Sequence, residues 1–254
     1  MNRYAAPQAA VPHTSQVAGW TLLEFEVVDS TNFVAGKLGA WHAVRAGTQT
    51  AGRGRFQRSW ISDSGGLWLS AVVPTGADRD RWQALPLVAG LAVIESLKSL
   101  GVASARLRWP NDIMVDERKL AGLLVDNFVP QLAVVGLGLN VANNPDSQDA
   151  TLIGTTTRLA DLVPQPPSLA TLTKAILIGL RSEIEVVANA GFGALHSRIN
   201  EMWGGPRRVT VDLDGVQRTG WFNGVDQGGR LWFQEASAGP IALEPHQVRL
   251  LREL

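Results

Sequence analysis

"TQTAGRGRFQRSW", residues 48–60, sets three arginines, two glycines and a tryptophan close together in a chain whose formal charge is zero. Its reading decides the fold. Taken with Gly47, "GTQTAGRG" (47–54) has the glycine spacing of a phosphate loop. The motif then fails, because Arg53 stands where it has Lys and Gly54 where it has Ser or Thr. A phosphate loop also opens a helix, whereas "FQRSWISDSGG" leads into the strand-like "GGLWLSAVV" (65–73). The stretch therefore reads as a loop between strands. Gly52 and Gly54 let the backbone approach a ligand closely. Arg53, Arg55 and Arg58 present planar forks that match phosphate or carboxylate, and Arg53 and Arg55 share a face if the chain is extended. Trp60 offers a surface on which a base can stack. A solvated basic loop is the plain alternative.

Strands and helices alternate outward from this loop. "WTLLEFEVV" (20–28) and "WHAVRAG" (41–47) read as strands, separated by "DSTN" (29–32), where Asp29, Ser30 or Thr31 can cap a helix. Leu87, Leu91, Ile94 and Leu97 recur at helical steps, which predicts one long helix over 78–101 ending at Gly101. Residues 105–128 read as strand, turn, strand with "DERK" as the hairpin turn, and "QLAVVGLGLNV" (131–141) as a strand buried on both faces. Ser168 can cap a helix through about Asn189, and 192–203 form another. Beyond "WGGP" (203–206), short alternating strands are punctuated by Asp214-Gly215, Asn223-Gly224 and Gly228-Gly229, the pattern of a small all-β domain.

Composition narrows the function. The chain has 254 residues, 45% of them apolar, enough for one large domain or a large one with a small one. Lys plus Arg and Asp plus Glu number 23 each, which argues against a dedicated nucleic-acid binder, since such proteins carry a basic excess. There is no cysteine, so disulfides, thiolate catalysis and cysteine-held zinc are excluded, and a reducing cytoplasm suits the chain. Residues 1–19 hold no signal-length apolar run and read as a flexible tail, and no later run is long enough to span a membrane.

Two further segments carry polar groups in unusual places. "RWPNDIMVDERKLAGLLVD" (108–126) sets Asn111 and Asp112 beside Pro110, with Lys119 at the end of the turn and Gly122 opening room next to it. Asn111 and Asp112 could hold adenine, ribose or Mg²⁺, or they could be ordinary turn residues. "VVGLGLNV" (134–141) lacks the third glycine of a dinucleotide fingerprint. Its Gly136 and Gly138 mark a close approach of backbone or ligand, and Asn140 needs a partner, for which a structural hydrogen bond is the commoner reason. The four histidines have no ligand spacing, and no nucleophile elbow occurs.

Taken together and in order, these motifs resemble the biotin–protein ligases. The resemblance rests on Ser30-Thr31-Asn32, Gly52-Arg53-Gly54-Arg55, Arg58-Ser59-Trp60, Trp109-Pro110-Asn111-Asp112, Lys119-Leu120-Ala121-Gly122 and Gly136-Leu137-Gly138-Leu139-Asn140, and runs from about residue 22 to 141. Arg108 departs from it, since the family commonly has Lys there; charge is kept but a fork replaces a point charge.

The resemblance implies an α+β fold. A catalytic domain over 20–204 would be a mixed β-sheet with flanking helices, similar to class II synthetases, and 205–254 an SH3-like β-barrel. It implies that biotin attacks the α-phosphate of ATP, with Mg²⁺, to give biotinyl-5′-AMP, and that a lysine of a biotin carboxyl carrier domain then takes the acyl group. Lys119, Arg53 and Arg55 would be catalytic. Ser30, Thr31, Asn32, Gln49, Gly52, Gly54, Gly122 and Gly138 would join them around biotin, with the ureido end on Ser30, Thr31 and Gln49. ATP would meet Arg58, Trp60, Arg108, Asn111, Asp112, Lys119 and Asn140, with Asp112 on Mg²⁺ and a possible base. The Arg53–Arg58 loop would close over the reactive anhydride. Some members carry an N-terminal winged helix; about 20 residues precede the first strand here, so a cytoplasmic ligase without DNA binding or repressor activity, monomer or homodimer, is expected.

Two other readings use the same residues. A lipoate or octanoate ligase would share the fold but need a deeper apolar slot without ureido partners. A non-enzymatic nucleic-acid-binding module would track a strand with Arg53–Trp60 and weaken steeply with salt.

Overall fold

The computed structural model describes residues 11–78, 80–127, 129–203, 205–236 and 238–254. Its frame is an eight-stranded mixed sheet in the order β1-β2-β3-β4-β8-β7-β6-β5. The strands are β1 (His13–Val17), β2 (Trp20–Val28), β3 (His42–Gln49), β4 (Leu67–Pro74), β5 (Arg106–Arg108), β6 (Asp112–Val115), β7 (Arg118–Asp126) and β8 (Leu132–Leu139). Only β2 and β3 run parallel, with helix α1 (Thr31–Ala35) in their crossover. Residues 13–17 thus correct the reading of 1–19 as a tail: they pair with β2 through a turn at Ala18 and Gly19, both at positive φ. Residues 1–10 lie outside the described residues.

The two faces of the sheet follow from strand alternation. On β4 and β8, Leu67, Leu69, Ala71, Val73, Ala133, Val135, Leu137 and Leu139 pack into the main core. Helices α2 (Leu85–Ser99), α3 (Leu159–Leu162), α4 (Leu169–Ala190) and α5 (Gly193–Glu201) contribute to that core. Ser168 caps α4 by accepting from the Thr171 amide. The helix expected over 78–101 begins at Leu85, after a single 3-10 turn at Asp80–Trp82. The intervening residues Val72 and Val134 pack under α1 with Ala35 and Val44. Ser70, Gly136 and Gly138 occupy the same parity, so polar and side-chain-free positions collect on the α1 face.

Residues 105–128 hold three strands, where sequence suggested two: a turn at Trp109–Asn111 separates β5 from β6, and the hairpin turn proper is Asp116-Glu117, both at positive φ. The register of β6 on β7 then shifts: Ile113 faces Ala121 but Met114 faces Lys119, so Leu120 is an extra residue, a β-bulge.

The last strands, β9 (Arg207–Leu213), β10 (Val216–Val225), β11 (Leu231–Gln234), β12 (Ile241–Leu243) and β13 (Val248–Glu253), form an antiparallel sheet in the order β12-β11-β10-β9-β13. Asp214-Gly215 makes the β9–β10 turn as expected. Asn223-Gly224 does not turn the chain: Gly224, at φ 97°, sits where β10 slips register against β11. Asn200 of α5 holds the irregularity, its Oδ1 accepting from the Val225 amide at 2.9 Å and its Nδ2 donating to the Val225 carbonyl at 3.0 Å.

The two sheets share one core and several polar ties. The Trp109 indole donates to the Gly229 carbonyl at 3.0 Å. The Glu253 carboxylate accepts from Arg106 of β5 at 2.6 Å and from Arg207 of β9 at 3.0 Å. Burial alone would raise the Glu253 pKa, but the two guanidinium groups outweigh it and hold it below the ordinary value. No helix among the described residues is long and apolar enough to cross a membrane.

A depressed carboxylate contributes stability that is complete above its unfolded pKa and is lost as pH falls through its folded one. Glu253→Gln is therefore expected to cost about 2–3 kcal/mol in urea unfolding at pH 7, with the gap to wild type closing under acid conditions where Glu253 is protonated.

Candidate active site

A cleft of about 330 Å³ opens on the α1 face of the large sheet, between the 53–61 loop and strand β13. Every residue singled out for a ligand lines it except Gly52. A Cβ at Gly52 would stand 2.5 Å from both Ser62 Oγ and the Trp60 carbonyl, so this glycine lets the loop pack on itself. Six basic side chains line the cleft, Arg53, Arg55, Arg58, Arg108, Lys119 and Arg249, against the carboxylates of Asp112 and Asp149. The excess suits an anion.

The bulge at Leu120 aims the cations. It places both Leu120 and Ala121 in the core, so Lys119 and Gly122 emerge together on the cleft side although they lie three positions apart. The Lys119 backbone is pinned by its amide on the Thr155 carbonyl at 2.8 Å. Its Nζ meets Asp112 Oδ1 at 2.6 Å, while Arg108 donates to Asp112 Oδ2 at 2.7 Å. Burial by itself would push the Asp112 carboxyl up, but Lys119 and then Arg108 outweigh it and the carboxyl lies below its ordinary value. With both oxygens engaged and its basicity lowered, Asp112 is a poor general base. Each Asp112 oxygen faces a cation, so the carboxylate would have to release Lys119 or Arg108 to hold a Mg²⁺.

Trp60 lies across β7 and β8. Gly122 and Gly138 are register partners, and a Cβ on Gly138 would fall 2.4 Å from Trp60 Nε1, one on Gly122 3.1 Å from Trp60 Cζ3. The glycine pair is thus the bed of the indole. Lys119 Nζ sits 4.9 Å from the ring centroid. Trp60 Nε1 is buried without a partner among the described residues, a state that costs about 1–3 kcal/mol.

The other end of the cleft is uncharged and polar. Gln49 Oε1 accepts from the Thr31 amide at 2.8 Å and the Thr31 hydroxyl at 3.0 Å, and Gln49 Nε2 donates to Ser62 Oγ at 2.8 Å. Ser30 stands at the N-cap of α1 without a side-chain capping bond; Gln49, from β3, does that work. Ser70 Oγ lies within hydrogen-bond reach of Thr31 Oγ1, 2.7 Å, and Asn32 Oδ1, 2.6 Å. Asn32 Nδ2 donates to Asp126 Oδ2 at 2.8 Å, so both ends of the Asn32 amide are held by protein. A Cβ on Gly136 would meet Asn32 Oδ1 at 2.2 Å.

The remaining residues divide in two. Arg55 donates to Asn111 Oδ1 at 3.4 Å and to the carbonyls of Pro245 and Val248, tying the loop to the second sheet. Burial, opposed by Asp112 and reinforced by Arg58, lowers the Arg55 pKa, yet the group stays charged at neutral pH. Asn111 Nδ2 donates to the Leu123 carbonyl at 2.7 Å. Asn140 is buried, donating to the Thr157 carbonyl at 3.1 Å and accepting from Asn143 at 3.0 Å, so its amide is satisfied without a ligand. Arg53 is exposed, and its side chain makes no hydrogen bond with the described residues. Sequence reasoning missed Ser62, Ser70, Asp126 and Arg249. A serine inside the apolar "LWLSAVV" (67–73) was a legible signal for Ser70, whereas Arg249 reaches the cleft only through the docking of the second sheet.

Comparison with known proteins matches residues 25–140 to the biotin/lipoate A/B protein ligase family. A biotin–[acetyl-CoA-carboxylase] ligase of Mycobacterium tuberculosis is 34% identical over 194 residues, 72% of this chain and 69% of the relative. A bifunctional ligase/repressor BirA of Bacillus subtilis is 30% identical over 142 residues, and the aligned part is 52% of this chain and 44% of that protein, so the chain spans less than half of the relative. Among solved structures, the biotin protein ligase from Aquifex aeolicus in complex with biotin and ATP superposes with a TM-score of 0.80 over 92% of this chain and 99% of that one, at 24% identity, which establishes a common fold.

In Lys119→Met the Asp112 carboxyl keeps Arg108 but loses the cation that most offsets its burial. Its pKa is expected to rise, read as a shifted carboxyl ¹³C titration; an unmoved Asp112 titration would contradict the ion-pair geometry.

Proposed function

As the chain belongs to the biotin/lipoate A/B protein ligase family, we propose that it activates biotin with ATP and transfers it to a lysine of a biotin carboxyl carrier domain. One observation carries this reading: the cleft has an uncharged hydrogen-bonding end built on Ser30, Thr31 and Gln49, and a cationic end built on Arg53, Arg55, Arg58, Arg108 and Lys119. Biotinyl-5′-AMP has the same division, with a neutral ureido ring at one end and, beyond the acyl chain, an anionic phosphate that joins it to adenosine.

In the first step a biotin carboxylate oxygen bonds to the α-phosphorus and the bond to pyrophosphate breaks. Negative charge builds on the α-phosphate oxygens, and cations already aimed there stabilise it without rearrangement. Lys119 is the first of these, held by the Leu120 bulge and by Asp112. Arg53, without an intramolecular partner among the described residues, is available to the ligand, whereas Arg55 fastens the loop to the second sheet. Arg108 keeps guanidinium N–H groups beyond its bond to Asp112. Trp60, seated on Gly122 and Gly138, supplies a stacking face for adenine. Ser30, Thr31 and Gln49 face the ureido group, and Asn32, Gly136 and Asn140 shape the walls. Mg²⁺ arrives as the ATP complex and belongs to the substrate. In the second step a neutral lysine nitrogen bonds to the acyl carbon, the acyl–phosphate oxygen bond breaks, AMP leaves, and the protons shed by nitrogen pass to solvent.

In this reading residues 20–204 form the catalytic domain and 205–254 an SH3-like barrel that completes the nucleotide side of the cleft through Arg249 and Leu250. The amide and hydroxyl chain favours biotin over lipoate, which offers no ureido group to meet it.

The direct experiment incubates the protein with biotin and MgATP labelled at the α-phosphate, without acceptor, with lipoate in parallel. Enzyme-bound biotinyl-adenylate is the expected product. Adenylate from lipoate alone would overturn the substrate, and none from either would overturn the reading. Lys119→Ala should slow adenylate formation at least about 100-fold, since it removes a cation made to act in the transition state.

A further inference from the structure

Building on that ligase reading, we propose that the carrier's lysine reaches the acyl-adenylate through a second cavity on the far side of the Arg53–Arg55 segment, with Asp126 receiving its ammonium. This cavity, of about 340 Å³, shares Arg53, Gly54, Arg55 and Leu124 with the main cleft, so one short stretch of chain divides the two spaces. The division is thin at Gly54, which has no side chain and where a Cβ would meet nothing nearer than the Arg58 carbonyl at 3.7 Å.

The walls of the second cavity suit a lysine. Phe56, Leu124 and Pro245 provide apolar surface for a four-carbon stem, and Asp126 is its one carboxylate. Asp126 follows Gly122 and Leu124 at alternate positions of β7, which carries the cleft-side face to the mouth of this cavity. Asn32 orients the carboxylate by donating to Oδ2 at 2.8 Å, and Oδ1 makes no hydrogen bond with the described residues. Asp126 does not line the main cleft and touches it only by holding Asn32. The main cleft, by contrast, presents six basic side chains against two carboxylates and repels an ammonium. Arg53 and Arg55 also border the second cavity, but Arg55 is committed to the carbonyls of Pro245 and Val248 and Arg53 is the cation assigned above to the ligand phosphate. Asp126 is a positioning residue: it draws the ammonium to the dividing segment, and the proton is lost to solvent before nitrogen attacks the acyl carbon.

The test separates the two half-reactions. Asp126→Asn keeps an oxygen that accepts from Asn32 and removes only the charge. Three rates are measured on each protein: formation of biotinyl-adenylate, its consumption by Nα-acetyl-lysine methylamide, which is cationic, and its consumption by hydroxylamine, which is neutral at pH 7.5. Asp126→Asn should slow the lysine amide about tenfold and leave hydroxylamine unchanged, with Asp126→Glu recovering most of the loss. Gln57→Lys, which adds a like charge at the exposed wall of the cavity, should likewise slow the lysine amide alone. Equal slowing of both nucleophiles by Asp126→Asn, or of neither, would overturn the proposal. Absence of adenylate in the wild-type protein would overturn the ligase reading beneath it, and that result is visible before any variant is compared.

Discussion

One extra residue in a strand governs the chemistry of this molecule. In a regular β7, Lys119 would share a face with Ala121 and Leu123 and its ammonium would point into the core, where an unpaired charge costs several kcal/mol or is neutralised. The bulge at Leu120 turns it out beside Gly122 instead. That turn allows the ion pair with Asp112, the approach of Nζ to Trp60, and the cationic end of the cleft. Asp112 in turn keeps two cations, Lys119 and Arg108, close together before any phosphate is bound. A cluster of like charges assembled without it would repel; assembled around one carboxylate, it is ready for an anion.

The rest of the site depends on strand parity. Ser70, Gly136, Gly138, Gly122, Leu124 and Asp126 come from three adjacent strands and reach one face because each lies two residues from the next on its own strand. The glycines make the cleft by absence: Gly136 leaves room for Asn32 and Gly138 for Trp60. The second sheet adds the remaining wall. Arg55 bonds to its carbonyls and Glu253 ties it to β5, so the loop that borders the cleft is anchored to a separate sheet. The loop is tied to the second sheet through two guanidinium groups, Arg55 on Pro245 and Val248 and Arg58 on Arg249.

Much of this was legible before any coordinates. The strand at 20–28, the Ser168 cap and the cleft-lining residues were readable because alternation, capping chemistry and charged or aromatic residues beside glycine have local physical causes. What was not legible depended on pairing. "HTSQV" (13–17) has no apolar alternation and becomes a strand only because β2 offers an edge. Nothing in "ERKLAG" (117–122) announces a bulge, since the extra residue exists only relative to β6. Asn223-Gly224 has turn chemistry, but Asn200, from a distant helix, holds it as an irregularity in a continuing strand. Asn140 was expected either to satisfy itself or to hold adenine; its amide bonds to Thr157 and Asn143, partners that no local signal in the sequence names.

The central claim is that the bulge delivers Lys119 to the reacting phosphate. A crystal structure with a non-hydrolysable biotinyl-adenylate tests it most directly. The account predicts Lys119 Nζ within about 3 Å of a phosphate oxygen, with the ureido ring against Thr31 and Gln49. An adenylate seated with its phosphate away from Lys119, and Nζ still bound only to Asp112, would contradict it.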